Sequence, residues 1–248
     1  MASVIGRLTR CGIGAWSKED IVQYLQTGHV PGKAQAAGPM AEAVQNSLQY
    51  LPAADLMAIA TYLKDTPPIA DAQARPRFAF GSASLTQEVS DRGNVQDAPA
   101  GWRVFSGSCA ACHQAGAGGT GNGEYPSLFH NTTTGALRPD NLVATILHGV
   151  NRTAGTHVAF MPAFGDTASY TDRLNDQQIA DVSNYVLSTY GNPQAHVSAA
   201  DVATLRAGGR APLLAQVRPF MLPLLVLVLL ILVFTVARVR AAKTSKAS

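Results

Sequence analysis

Cys109-Ala110-Ala111-Cys112-His113 places two thiols and an imidazole within five residues. Two cysteines at this spacing can form thioethers with the two vinyl groups on one edge of a haem, and a histidine directly after the second reaches the iron as its proximal ligand. Cys-x-x-Cys-His is the attachment signature of a c-type haem. Other chemistries of a cysteine pair fit less well. A zinc site asks for a second ligand pair at similar spacing, and the sequence has none. A disulfide within Cys-x-x-Cys is strained, and a thioredoxin-like dithiol calls for a βαβ context that the flanking sequence does not offer. The third cysteine, Cys11, has Gly14 and Ala15 where a second thiol and a histidine would stand. One covalent haem c is therefore expected.

The sixth iron ligand decides between electron transfer and chemistry at an open site. Phe160-Met161-Pro162-Ala163-Phe164 sets a methionine among apolar residues, 48 positions after His113. A lone methionine is usually core filler, but Pro162 stiffens this loop and a helix begins soon after it. Met161 is the preferred distal ligand. His157 and His148 compete with it and would give a bis-histidine haem of lower potential. His130 and His196 read as surface residues without a role. Pro126 is placed to offer its carbonyl to the Nδ1 proton of His113, a contact that fixes the imidazole. Gly116 to Gly123 is too irregular for a phosphate loop, lacks the following Lys-Ser/Thr pair, and reads as backbone wrapped around the haem edge.

The elements that must position these groups are helical. Asp97 to Ser108 reads as a helix delivering the cysteine motif. Arg138 to His148 follows with Leu142, Val143, Ile146 and Leu147 inward, and Asp176 to Tyr190 closes the domain. Asn175 and Gln178 make a capping-box-like pair for that last helix, Leu174 with Ile179 fits a hydrophobic staple, and Gly191 with Pro193 ends it. Its face of Ile179, Val182, Tyr185 and Val186 is suited to cross the first helix at Gly101, where no side chain intervenes.

The first 66 residues resemble the back of this domain. Asp20 to Gly28 matches Asn141 to Gly149 in apolar pattern, and Met40 follows Gly28 by 12 positions as Met161 follows Gly149. A helix from Ala53 to Lys64 corresponds to Asp176–Tyr190. Residues 12–66 are thus expected to be the back half of a second cytochrome c domain, with Met40 an orphaned ligand. The corresponding haem histidine would fall about eight positions before Met1, since His113 precedes Gly149 by 36. Arg7 and Arg10 are not followed by the apolar stretch of a signal peptide. Haem attachment requires export, so the sequence is expected to be a shortened reading of a longer exported protein, with further haem only if that part is restored.

Composition bounds the partners. Hydrophobic residues make up 47% of the 248 and charged ones 14%, against about 25% charged in soluble domains. A disordered or nucleic-acid-coating chain is excluded. The formal charge of +3 comes from 19 basic and 16 acidic residues, and Arg238, Arg240, Lys243 and Lys246 near the end carry all of the excess. Before them, Phe220 to Ala237 runs 18 residues without a charge or amide side chain. At about 1.5 Å per residue this reaches about 27 Å, enough to span a bilayer. Pro223 falls in its first turn, where a missing amide proton costs little. With Arg218 before the span and four basic residues after it, the positive-inside rule puts the C-terminus in the cytoplasm and the haem domain in the periplasm.

These residues resemble a family. Gly38-Pro39-Met40-Ala41-Glu42, Asp55-Leu56 to Tyr62-Leu63-Lys64, Cys109 to His113, Met161-Pro162-Ala163-Phe164-Gly165 and Leu174 to Val186 are similar to the C-terminal part of the triple-haem cytochrome c subunit of bacterial membrane-bound dehydrogenases acting on alcohols, gluconate, sorbitol or aldehydes. The resemblance covers roughly residues 12–192. It implies an all-α fold: a class I cytochrome c domain, preceded by the back half of another and followed by a transmembrane helix. The expected divisions are 1–66 truncated domain, 67–96 linker, 97–194 complete domain, 195–218 tether, with 199–214 either a short helix or flexible, 219–238 membrane helix and 239–248 basic tail. It also implies an electron carrier between a quinoprotein or flavoprotein catalytic subunit and ubiquinone or another respiratory carrier, single-pass in the inner membrane. Oxidation of the CH–OH donor would belong to the partner subunit, with no catalytic residue here. The alternatives are a cytochrome c subunit of a terminal oxidase, or an enzyme or sensor with a five-coordinate haem in which Met161 is filler.

Overall fold

The computed structural model describes residues 13–67 and 75–210 and, beyond them, 212, 215, 217, 219–221, 223, 225–232, 234 and 235. Arg7, Arg10, Cys11, Arg218 and the basic tail 239–248 lie outside the described residues. The chain divides into two units, Met1–Ala207 and Gly208–Ser248.

The first unit opens with α1 (Lys18–Thr27), which Ser17 and Asp20 cap reciprocally and which stops at Gly28 in the left-handed region (φ 71°). A tight antiparallel hairpin follows, β1 (His29–Val30) with β2 (Ala34–Gln35). Next come α2 (Gly38–Asn46), a single turn at Leu48–Tyr50, and α3 (Ala53–Asp65). Trp16, Ile21, Leu25 and Val30 close over Leu56 and Ala60 of α3, all at 9% exposure or less.

A turn at Arg77–Ala79 and the helix α4 (Thr86–Gly93) lead into α5 (Ala100–Val104), a π-helical turn (Phe105–Cys109) and α6 (Ala110–His113). α7 (Asp140–His148) ends at Gly149 (φ 70°), followed by a second hairpin, β3 (Val150–Ala154) with β4 (His157–Met161), and then by α8 (Asp176–Tyr190) and α9 (Ala199–Arg206). The larger core lies among α5, α7, α8 and α9, with Phe105, Val143, Leu147, Ile179, Leu187 and Val202 sealed from solvent. Asn175 and Gln178 exchange the two capping-box hydrogen bonds at 2.9 Å each. α5 crosses α8 at Gly101, where a Cβ would stand 2.2 Å from the Asp181 carbonyl oxygen. Only glycine permits this crossing.

The structure departs from the sequence reading in three places. Met161 ends a β-strand rather than lying in a loop. Val150–Ala154 and His157–Met161 pair in register across Gly155-Thr156, and the alternating pleat turns Arg152, Ala154 and Ala159 inward. The fold is thus helix-rich with two small hairpins. Secondly, the described part of the expected linker is packed structure. Glu88 of α4 is 3% exposed, and its Oε2 accepts from Trp102 Nε1 at 2.6 Å. His130 N donates to Phe80 O at 2.9 Å. Polar composition hid this segment because its buried anchor is a carboxylate. Thirdly, of the two forms open to 199–214, the short helix is found over Ala199–Arg206, and it is docked rather than free. Ser198 and Asp201 cap α9, Val202 is buried, and Arg206 pairs with Asp176 at 2.7 Å and Asp166 at 2.9 Å, fastening α9 to α8 and the loop before it.

In the second unit, Leu225–Leu232 are helical, and each large apolar side chain from Leu225 to Leu232 is about half exposed or more. No helix among the described residues is long and apolar enough to cross a membrane. Residues 222, 224, 233 and 236–238 of the expected span lie outside the described residues.

Candidate functional site

The cysteine motif sits on a continuous helical rod that narrows the choice of direction for each side chain. Within it the Ala110 amide bonds to the Phe105 carbonyl five residues back, a π turn of the kind that often marks functional sites. The rod ends at Gln114, whose backbone switches to φ 66°, ψ 159°. The chain then folds back: Gly119 N donates to His113 O at 3.0 Å, and Leu128 N to Ala117 O at 2.9 Å. A Cβ on Gly119 would lie 2.2 Å from Tyr125 O, so this return also needs glycine.

The return places the Pro126 carbonyl oxygen 2.9 Å from His113 Nδ1. A carbonyl can only accept, so Nδ1 carries the proton and Nε2 keeps a lone pair. His113 is 8% exposed, and burial lowers its pKa although the Pro126 bond acts in the opposite sense. Burial thus favours the neutral imidazole, the form in which histidine ligates a metal. Burial, helped by neighbouring Cys112, pushes the Cys109 thiol up to about 12. A redox-active or nucleophilic cysteine needs the opposite shift.

His113, Cys109 and Cys112 open onto a cleft whose empty space, counting its open mouth, is about 1050 Å³. Phe105, Leu142, Ile146, Phe164, Val182 and Val186 give it apolar walls, and Met161 also lines it. Met161 is held there from two sides. Val150 pairs with it across the hairpin, and Phe164 N donates to Ile146 O at 2.9 Å just beyond it. A Cβ on Gly149 would fall 2.5 Å from Met161 O, so α7 ends directly against the Met161-Pro162 turn. His148 and His157 are exposed and do not line the cleft. His130 and His196 are exposed as well.

The residues fit a covalently attached haem: two thiols, an imidazole whose Nδ1 is already engaged, a thioether sulfur and apolar walls line one cleft. Met40 is elsewhere. It lies half-buried in the first turn of α2, packed against the clusters around Trp16 and around Ala36 and Val44. Gln35 and Ala37 of the first hairpin region do line the haem cleft. The sequence reading confined the cleft to 97–194 and missed them. Their only signal is the mutual packing of the two hairpin regions, which leaves no trace in one-dimensional spacing.

That packing centres on Arg152. It points inward from β3, is 1% exposed, and donates through Nη1 to Ala36 O at 2.8 Å and Gly28 O at 3.0 Å. A Cβ on Gly28 would lie 2.6 Å from the guanidinium carbon, so the left-handed glycine also makes room for this charge. Around it, Gln45 Oε1 accepts from Thr153 N and Gln49 Oε1 from Gly155 N, each at 2.8 Å.

Fold and site together supply the parts that a covalently attached haem c needs. Residues 98–190 match the cytochrome c family, and this part of the chain is a cytochrome c domain. Over a longer stretch the chain is related to the cytochrome subunits of dehydrogenases. It is 47% identical over 212 residues to the fructose dehydrogenase cytochrome subunit of Gluconobacter japonicus, covering 83% of this chain and 43% of that protein. It is 33% identical over 199 residues to the alcohol dehydrogenase (quinone) cytochrome c subunit of Gluconacetobacter polyoxogenes, covering 80% of this chain and 40% of that protein. It is 36% identical over 212 residues to the gluconate 2-dehydrogenase cytochrome c subunit of Pantoea cypripedii, covering 79% and 43%. The chain thus spans under half the length of these relatives.

Proposed function

We propose that this chain carries electrons for a dehydrogenase whose catalytic centre lies on another subunit, with one haem c attached at Cys109 and Cys112 and ligated by His113 and Met161. The observation that carries the reading is the convergence of His113 and Met161 on one apolar cleft. When bound, haem c supplies a one-electron couple at its iron. The chain's residues do the rest. His113, its ring direction fixed by the Pro126 carbonyl, would offer Nε2 to the iron, and Met161 would offer its thioether sulfur as the second ligand. Phe105, Leu142, Ile146, Phe164 and Val182 exclude water, which lowers the reorganisation that accompanies a change of charge. The relatives named for fructose, alcohol and gluconate dehydrogenases support a sugar- or alcohol-oxidising partner, and electrons would pass on to ubiquinone or another respiratory carrier.

Two further parts belong to the proposal. Residues 13–66 repeat the order of 140–190: a helix, a left-handed glycine, a hairpin, a methionine and a closing helix. We read them as the back of a second cytochrome c domain in which Met40 has the place of Met161. The apolar helical residues Leu225–Leu232, exposed along their length, support a single-pass inner-membrane anchor with the haem domain in the periplasm and the basic tail in the cytoplasm. Such tethering raises the effective concentration of partners at the same membrane.

The test is isolation of the native complex from membranes. A dehydrogenase subunit co-purifying with the chain, and reduction of its haem on adding that enzyme's sugar or alcohol substrate, is the expected result. Co-purification with a haem-copper oxidase and no such reduction would sink the proposal in favour of an oxidase subunit.

A further inference from the structure

Beside the haem cleft lies a second, polar cavity, lined among others by His29, Gln35, Glu124, Arg152 and His157. Gln35 and Glu124 line both spaces, so the two adjoin. Three of these side chains are basic or can become so. Arg152 is the telling one: it is sealed from solvent, has no carboxylate partner among the described residues, and its Nε is buried without a hydrogen-bond acceptor. A guanidinium keeps its charge under all ordinary conditions, and a buried charge with neither counter-ion nor full hydrogen bonding is strongly unfavourable. Its Nη1 is already engaged by Gly28 and Ala36. His29 adds a second polar group, its Nδ1 2.6 Å from Gln35 Oε1 and its Nε2 turned towards Gly123. Glu124 is the carboxylate facing this cavity, and it is solvent-exposed.

We propose that this cavity is a carboxylate site shared by the two halves of the chain, in which Arg152, flanked by His29 and His157, receives the propionate edge of the haem held in the adjoining cleft. A haem c carries two carboxylates, and a cavity adjoining its cleft and lined by an uncompensated guanidinium is where they find a counter-charge. The first half of the chain thereby acquires a part in the second half's cofactor site: Gly28 and Ala36 aim Arg152, and His29 and Gln35 form the far wall. The inference rests on the haem reading of the cleft, which a pyridine haemochrome spectrum tests by itself.

The test is a crystal structure of the haem-loaded chain, grown in the presence of inorganic phosphate, together with redox titration of Arg152→Lys and Arg152→Gln. A propionate oxygen within hydrogen-bond distance of the Arg152 guanidinium is the expected finding. Phosphate or water on that group, with both propionates directed elsewhere, overturns it. In the titrations, Arg152→Gln should favour the ferric state about tenfold at fixed potential, equal to 59 mV for one electron, while Arg152→Lys stays near the parent. If Arg152 only ties the halves together, both variants lose stability and neither shifts the potential, which also overturns it. Should Arg152→Gln fail to fold, the crystal structure of the unaltered protein still decides.

Discussion

Gly101→Ala isolates the helix crossing on which the haem cleft depends. The added Cβ would stand 2.2 Å from the Asp181 carbonyl oxygen and 2.8 Å from Tyr185 Cβ. Ordinary contact begins at 3.4 Å, so α5 and α8 must part by about 1 Å, and the obstacle is backbone that cannot swing away. Overpacking of this kind costs about 1–3 kcal/mol, and a backbone obstacle puts this case at the upper end. The displacement also reaches the site, because α5 runs on into Cys109–His113 and α8 carries Val182 and Val186 of the cleft wall. The control is Gly107→Ala, four residues before the second helical segment's Ala111, where a Cβ meets nothing within 4 Å. Urea unfolding of the haem-loaded proteins, followed by far-ultraviolet circular dichroism, should show Gly101→Ala destabilised by about 3 kcal/mol and Gly107→Ala within about 0.5 kcal/mol of the parent. Equal midpoints for the two variants would refute the crossing as drawn.

Replacing Met161 by Ala should abolish the near-infrared charge-transfer band of ferric methionine-ligated haem and let carbon monoxide bind the ferrous form; retention of the band would assign the ligand elsewhere. Trp102→Phe removes the indole donor from buried Glu88 Oε2 and should cost about 1–3 kcal/mol, visible in thermal unfolding as a lowered midpoint. Cleaving the thioethers and removing the haem leaves an apolar cleft without its filling, so the chain should lose cooperative unfolding while its far-ultraviolet helix signal falls. In the proposed anchor, Leu229→Lys should oppose insertion by about 2.5–3.5 kcal/mol, measured as a shift of the chain from the membrane to the aqueous fraction; an unchanged distribution would count against the anchor.

Much of the haem site was legible because its determinants are local. Cysteine spacing, the histidine after it, the Asn175–Gln178 cap and the inward faces of α7 and α8 all lie within short stretches of chain, and the Pro126 carbonyl stands 2.9 Å from His113 as the return of the loop demands. What escaped depends on contacts between distant segments. Arg152 looks like one more surface arginine until the pleat of β3 turns it inward and Gly28, 124 positions earlier, makes room for it. Glu88 reads as a solvated acid until Trp102 supplies its donor. α9 is too weakly amphipathic to declare itself, and it is the ion pairs of Arg206 that dock it. Gln35 and Ala37 reach the cleft only because the two hairpin regions pack together.

In the proposed site His113 and Met161 would together ligate one electron-carrying haem. Spectroelectrochemical titration of the purified haem-loaded chain tests this most directly. The expected result is a single one-electron wave, the methionine-ligation band at the oxidised end, and a ferrous spectrum unchanged by carbon monoxide. Carbon monoxide binding to the unaltered protein, or a ferric spectrum without that band, would contradict it.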